Sequence, residues 1–245
     1  MRGDGPPAFC LLKRGVMRRI LVPLLIGVVG AGILIGLGVW QVQRLAWKEN
    51  ILATIDARLS AAPVDLPETL DPEDDKYLPV RVSGTLEPDA LHVLVGAKDL
   101  GAGYRLIQPL VLDGGRRIMV DRGLIPLDAK AAVRETGEVG LVGNLHWPDE
   151  IDGYTPEPDI ARGIWFARDV PAMANALGTE PVLVVVRRQE AGPQSDEITA
   201  LPVDTAAISN NHLQYAITWF SLAAIWLTMT GYLIWRVTRR QETEG

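Results

Sequence analysis

The chain has 245 residues, a net charge of −6 and a single cysteine, Cys10. An acidic balance excludes the basic footprint that nucleic acid requires. With Cys10 near the N-terminus, the long middle of the chain holds no disulfide, thiol nucleophile or Cys-ligated zinc.

Residues 1–19 form a tail with Arg2, Lys13, Arg14, Arg18 and Arg19 against Asp4 alone. Residues 1–16 are neither Ser-rich nor amphipathic, so they do not read as a mitochondrial presequence. Met17 opens MRRILVPLL, a complete membrane start in itself, so a start at Met17 is expected as an alternative to Met1. Residues 20–40 follow, 21 in all and uncharged. A membrane-spanning helix needs about 20 apolar residues. The run is too long for a signal-peptide core, and no A-x-A-like cleavage site follows it. Pro23 falls in its first turn, where proline is tolerated.

From Gln41 the pattern predicts a helix over 41–60, because Leu45, Leu52, Ile55 and Leu59 recur at helical spacing. It should stop before Pro63. Residues 60–76 are a Pro- and acid-rich connection. Short Val-, Leu- and Ile-rich runs separated by turn signals then predict six or seven strands over about 77–190. Asp113-Gly114-Gly115 reads as a hairpin turn. One short helix is expected near 170–177, and 190–209 reads as a loop returning to the membrane. Residues 215–235 form a second uncharged run of 21, and 236–245 a tail with Arg236, Arg239 and Arg240.

The predicted fold is therefore membrane α+β. Two transmembrane helices flank one antiparallel, barrel- or sandwich-like extramembrane domain spanning 41–214. The two tails carry eight basic residues against Asp4, Glu242 and Glu244, while 41–212 is net −11. This asymmetry places both termini in the cytoplasm and the domain outside.

Few motifs carry chemistry. Gly30, Gly32 and Gly36 imitate a nucleotide fingerprint at the wrong spacing, inside an apolar span, and read as helix packing. No zinc-protease, hydrolase-elbow or phosphate-loop motif is present, so a hydrolytic enzyme is not supported. His92 and His146 stand in strand patterns without partners and read as structural. His212 lies three residues before the second span, where an imidazole either bonds a lipid headgroup or ligates a metal such as haem iron. On a helical wheel Tyr215, Trp219 and Trp226 fall within about 60° of it. Gly27, Ala31 and Gly38 on the first span, and Ser221, Ala224, Thr228 and Gly231 on the second, are expected to pack small face to small face. The His212 stripe would then face away, toward lipid, a cofactor or a partner.

Four segments, 37–67, 77–86, 103–126 and 210–220, resemble the surfeit locus protein 1 family of bacterial type. The W-Q-x-x-R of Trp40, Gln41 and Arg44 at the membrane exit and the NNHLQYAITW at the membrane entry carry most of the resemblance. Leu124 departs from it, since the family usually has tryptophan after R-G, and this puts any role for that loop tip in doubt. The resemblance implies a non-catalytic assembly factor of haem-copper cytochrome c oxidase in the cell inner membrane, acting on the large haem-bearing subunit. It implies haem a as a transient cofactor with His212 as axial ligand, and the haem a synthesis machinery as a further partner. Tyr215, Trp219 and Trp226 would wall the haem. Trp40, Gln41 and Arg44 would be either partner contacts or interfacial anchors. A scaffold that never touches haem is the alternative.

Overall fold

The computed structural model describes residues 8–97, 101–132, 135–205 and 208–242. Arg2, Asp4 and Glu244 of the tail-charge argument lie outside them. Helix α1 runs Ala8–Leu59. Among the described residues eight strands follow: β1 Val64–Asp65, β2 Pro79–Leu86, β3 Leu91–Ala97, β4 Gly101–Leu112, β5 Arg117–Pro126, β6 Gly137–Leu145, β7 Ile164–Trp165 and β8 Leu183–Ala191. Helix α2, Val170–Leu177, precedes β8, and α3, His212–Glu242, ends the chain. Two compact units result. One is built from residues up to Leu52 and from Ile208 onward; the other is Ala53–Ala207.

In the second unit β2, β6, β8, β5 and β4 pair in that order, and β4 returns to β2, so the five strands close a barrel. One core cluster takes Val82, Leu110, Val120, Leu141 and Val184, a residue from each barrel strand. The alternate faces of β5 and β8 carry Met119, Leu183 and Val185, and α2 covers them with Val170, Met173 and Ala174. The period of two along a strand thus divides the apolar residues between barrel interior and helix-covered exterior. Closure is tight where β2 meets β4. A Cβ at Gly84 would collide with the carbonyl oxygen of Val111, so only glycine lets these backbones approach.

The predicted hairpin forms between β4 and β5, with Leu112 and Arg116 bonded across it. Helix α2 occupies the expected residues. Asp169 caps its N-terminus by accepting from Ala172 N at 3.0 Å, and Gly178 ends it at φ 65°. Two features depart from expectation. The pairings β1–β2, β3–β7 and β5–β8 are parallel, and in β5–β8 the direction follows from the crossover through α2 before β8. Leu124 is no loop tip but a buried residue inside β5, bridged through its backbone to Thr199. The returning segment is therefore tied to the barrel.

The last turn of α1 belongs to this unit as well. The Leu59 carbonyl accepts from Asn144 Nδ2 at 3.1 Å and Arg187 Nη1 at 2.8 Å. A carbonyl orphaned at a helix C-terminus is thus satisfied, with a cation at the negative end of the helix dipole. Asn144 also donates to the carbonyl of Tyr77 at 3.0 Å, helping to hold Tyr77 at φ 73°.

Tyr77 lies against His146, with ring centroids 5.5 Å apart. Burial first, then the positive charges of Arg168 and Lys76, push the His146 imidazole down to a pKa of about 3. Its folded pKa lies below the unfolded value of about 6.5, so protons favour the unfolded chain as pH falls between these values. This contribution vanishes above pH 6.5 and reaches about 2 kcal/mol of lost stability at pH 5. Urea unfolding of the detergent-solubilised chain at pH 7 and pH 5 tests it. His146→Phe should lack that share of the acid loss, and parallel pH profiles would refute the assignment.

Candidate functional site

The residues singled out at the membrane exit and entry all lie in the first unit. They are brought together only in part. Gln41, 8% exposed, faces α3, and its Oε1 accepts from His212 Nδ1 at 2.8 Å. This bond fixes the tautomer: with Nδ1 carrying the proton, Nε2 keeps the lone pair. Trp40 is exposed and takes no part. The Arg44 guanidinium stacks over the Trp47 ring at 3.8 Å, a cation–π contact within α1, and is not a member of the pair. Lys48 bonds the Ser209 carbonyl at the same end.

The His212 stripe divides. Tyr215 is exposed and Trp219 half-buried. Trp226 stands fourteen residues from His212, about 21 Å along the helix. There its Nε1 donates to the Gly27 carbonyl at 3.1 Å. Trp226 is thus an element of helix packing, too distant along α3 to share a wall with His212.

The expected seam on α1 is present: Gly27, Ala31 and Gly38 are buried. The expected seam on α3 is not. Ser221, Ala224 and Thr228 are exposed, and nothing lies within 4 Å of a Cβ built at Gly231. The packing face is instead that of His212, with Ala216 and Ala223 buried and Thr230 half-buried at intervals of seven. Large side chains of α3 fill glycine notches of α1. A Cβ at Gly30 would lie 2.6 Å from Trp226 Nε1, and one at Gly38 would lie 2.7 Å from Phe220 Cε1. The contact is large into small, not small against small. His212 consequently faces the first span.

Two polar networks that sequence reasoning missed lie in the barrel unit. Asp121, wholly buried, meets Arg105 Nη1 at 2.7 Å and Arg168 Nη1 at 3.4 Å. Arg168 also binds Glu150, with Nη2 to Oε1 at 2.5 Å. Burial raises the Glu150 carboxyl, but the Arg168 hydrogen bonds and charge outweigh this and hold it below its usual range. On the other face of β5, Arg122 reaches Gln108, Glu135 and Gln189. The charges are matched within these networks, as buried ionic groups require. A charged pair in an otherwise apolar strand, IMVDRGLIP, was the available signal. His92 packs edge-on to Tyr104. Among the described residues no three His, Cys, Asp or Glu converge to hold a metal.

The sequence model of the SURF1 family matches residues 28–224, which include Trp40, Gln41, Arg44 and His212. Surfeit locus protein 1 of Rattus norvegicus is 30% identical over 226 residues, covering 82% of this chain and 71% of the relative. The Homo sapiens protein of that name is 29% identical over 215 residues, covering 77% and 70%. A SURF1-like protein of Rickettsia bellii (strain RML369-C) is 29% identical over 200 residues, covering 78% and 82%.

The packing face can be tested directly. Ala223→Leu should separate the helices and lower the thermal stability of the detergent-solubilised chain, whereas Ala224→Leu should leave it within about 0.5 kcal/mol. The reverse order would mean that the other face of α3 packs.

Proposed function

The chain belongs to the SURF1 family, and we propose that it acts as a membrane-anchored assembly factor for haem-copper cytochrome c oxidase. Its target is the large haem-bearing subunit, and its step is the insertion of haem a or stabilisation of the subunit during it. The haem a synthesis machinery is a further partner on this reading. Family membership supports the oxidase role. The observation that carries the haem role is the His212–Gln41 bond at 2.8 Å.

The residues fit a haem ligand in one respect that matters. A metal-ligating histidine commonly donates its second ring N–H to an oxygen acceptor, which orients the ring and raises its basicity. Gln41 Oε1 supplies that acceptor, so His212 Nε2 is the atom that would hold the iron. Bound haem a would supply redox-active iron only to the receiving subunit. The chain's own residues hold, orient and release. Tyr215 and Trp219, within about two turns of His212, are the aromatic neighbours available along α3. One protein ligand suits transfer better than storage.

Two helices long and apolar enough to cross a membrane support membrane anchorage. We place the chain in the inner membrane, and the charge asymmetry supports both termini cytoplasmic with the barrel periplasmic. A periplasmic reporter fused after Gly245 should be inactive, and an active one would reverse this topology.

The haem reading is tested on protein purified from cells that make haem a. His212→Ala should lose most of the bound haem, and Gln41→Leu should weaken retention and shift the haem spectrum. Equal haem in wild type and His212→Ala would remove His212 as ligand. No haem in either would favour a scaffold that binds the nascent subunit alone.

A further inference from the structure

Toward the other end of the helix pair from His212 lies an apolar groove of about 660 Å³. Val22, Pro23 and Ile26 of α1 form one wall, and Trp226, Met229 and Leu233 of α3 the other. The groove has a local cause. Gly27 presents no side chain, and a Cβ there would collide with Thr230. The Trp226 indole is held to the α1 backbone by its bond to the Gly27 carbonyl. The helices are thus pinned at the seam and leave a cleft beside it.

In a bilayer such a cleft is filled by an acyl chain or by another helix. The residues beyond the groove distinguish the two. Along α3 the wall continues as a stripe: Arg236 follows Leu233 by three positions and Met229 by seven, and Arg240 follows Leu233 by seven. At 100° per residue both arginines share the face of Met229 and Leu233, one and two turns farther along. Both are exposed. From Tyr215 to Gln241 the sequence has no Asp or Glu, and Arg18 and Arg19 stand just before Val22. An apolar slot whose α3 face continues to Arg236 and Arg240 matches a molecule with a hydrocarbon tail and an anionic head. Arginine also suits phosphate geometrically, through paired N–H donors.

We propose that this groove binds one anionic phospholipid, with an acyl chain in the slot and its phosphate on Arg236 and Arg240. The site is separate from His212 and does not depend on haem. A lipid seated there fills the cleft that the Gly27–Thr230 seam leaves open.

The test uses the full chain in detergent micelles, given phosphatidylglycerol or phosphatidylcholine of identical acyl chains, with retained lipid counted by native mass spectrometry. The wild type should retain one phosphatidylglycerol at about tenfold lower lipid concentration than phosphatidylcholine. Arg236→Gln combined with Arg240→Gln should bring the two lipids to within about twofold of each other. Met229→Trp, which fills the slot, should lower retention of both. Equal retention of the two lipids by the wild type overturns the proposal, as does an unchanged preference in the double arginine variant, whose substitutions lie at exposed positions. A second protein chain held in place of lipid would also overturn it.

Discussion

Asp121 has no exposure to solvent, and a buried carboxylate is tolerated only where its charge and lone pairs are met. Meeting them organises the barrel unit. Arg105 reaches Asp121 from β4 and also donates to the Leu201 carbonyl at 3.0 Å, fixing the segment that returns toward α3. Arg168 reaches it from the residue before the α2 cap and brings Glu150 along. Gly123 N closes the set by donating to the free oxygen at 3.2 Å. One carboxylate therefore relates β4, β5, the approach to α2 and the returning chain. The apolar core could accept many volume-conserving exchanges. This set could not lose Asp121 without leaving two guanidinium groups short of a partner.

Much of this architecture is legible in the sequence because its signals are local. The α1 extension ends at Leu59, four residues before Pro63, and α2 is bracketed by an Asp169 cap and Gly178. The Asp113-Gly114-Gly115 turn needs only its own residues. Barrel closure is not local. It depends on Gly84 meeting Val111 across a long stretch of chain, and nothing in either strand marks the partner. The parallel β5–β8 pair is hidden for a related reason, since direction follows from the route of the crossover rather than from either strand's pattern.

The choice of helix face failed for a different reason. Span two carries two small stripes, one through Ala224, Thr228 and Gly231 and one through Ala216, Ala223 and Thr230. A helical wheel ranks them nearly alike. What decides between them is complementarity: the glycines of α1 are notches, and notches are filled by large side chains. Phe220 and Trp226 project beside the second stripe, so that stripe packs. The matched depth of Gln41, one residue past the first span, and His212, three before the second, was the readable sign that they could meet.

The helix pair rests on less than the barrel does. In hydrocarbon, burial supplies no drive for helices to associate, and packing and hydrogen bonds must do it. Between the spans these include the glycine notches, the Trp226 bond to Gly27 and the Gln41–His212 bond. The last has a dual character. It joins α1 to α3, and it also sets which imidazole nitrogen is available. A Lewis acid on Nε2 withdraws electron density from the ring and makes Nδ1–H a stronger donor to Gln41. On the proposed function, ligand capture at His212 would therefore tighten the helix pair. By reciprocity, anything that parts the helices would weaken such a ligand to the same degree.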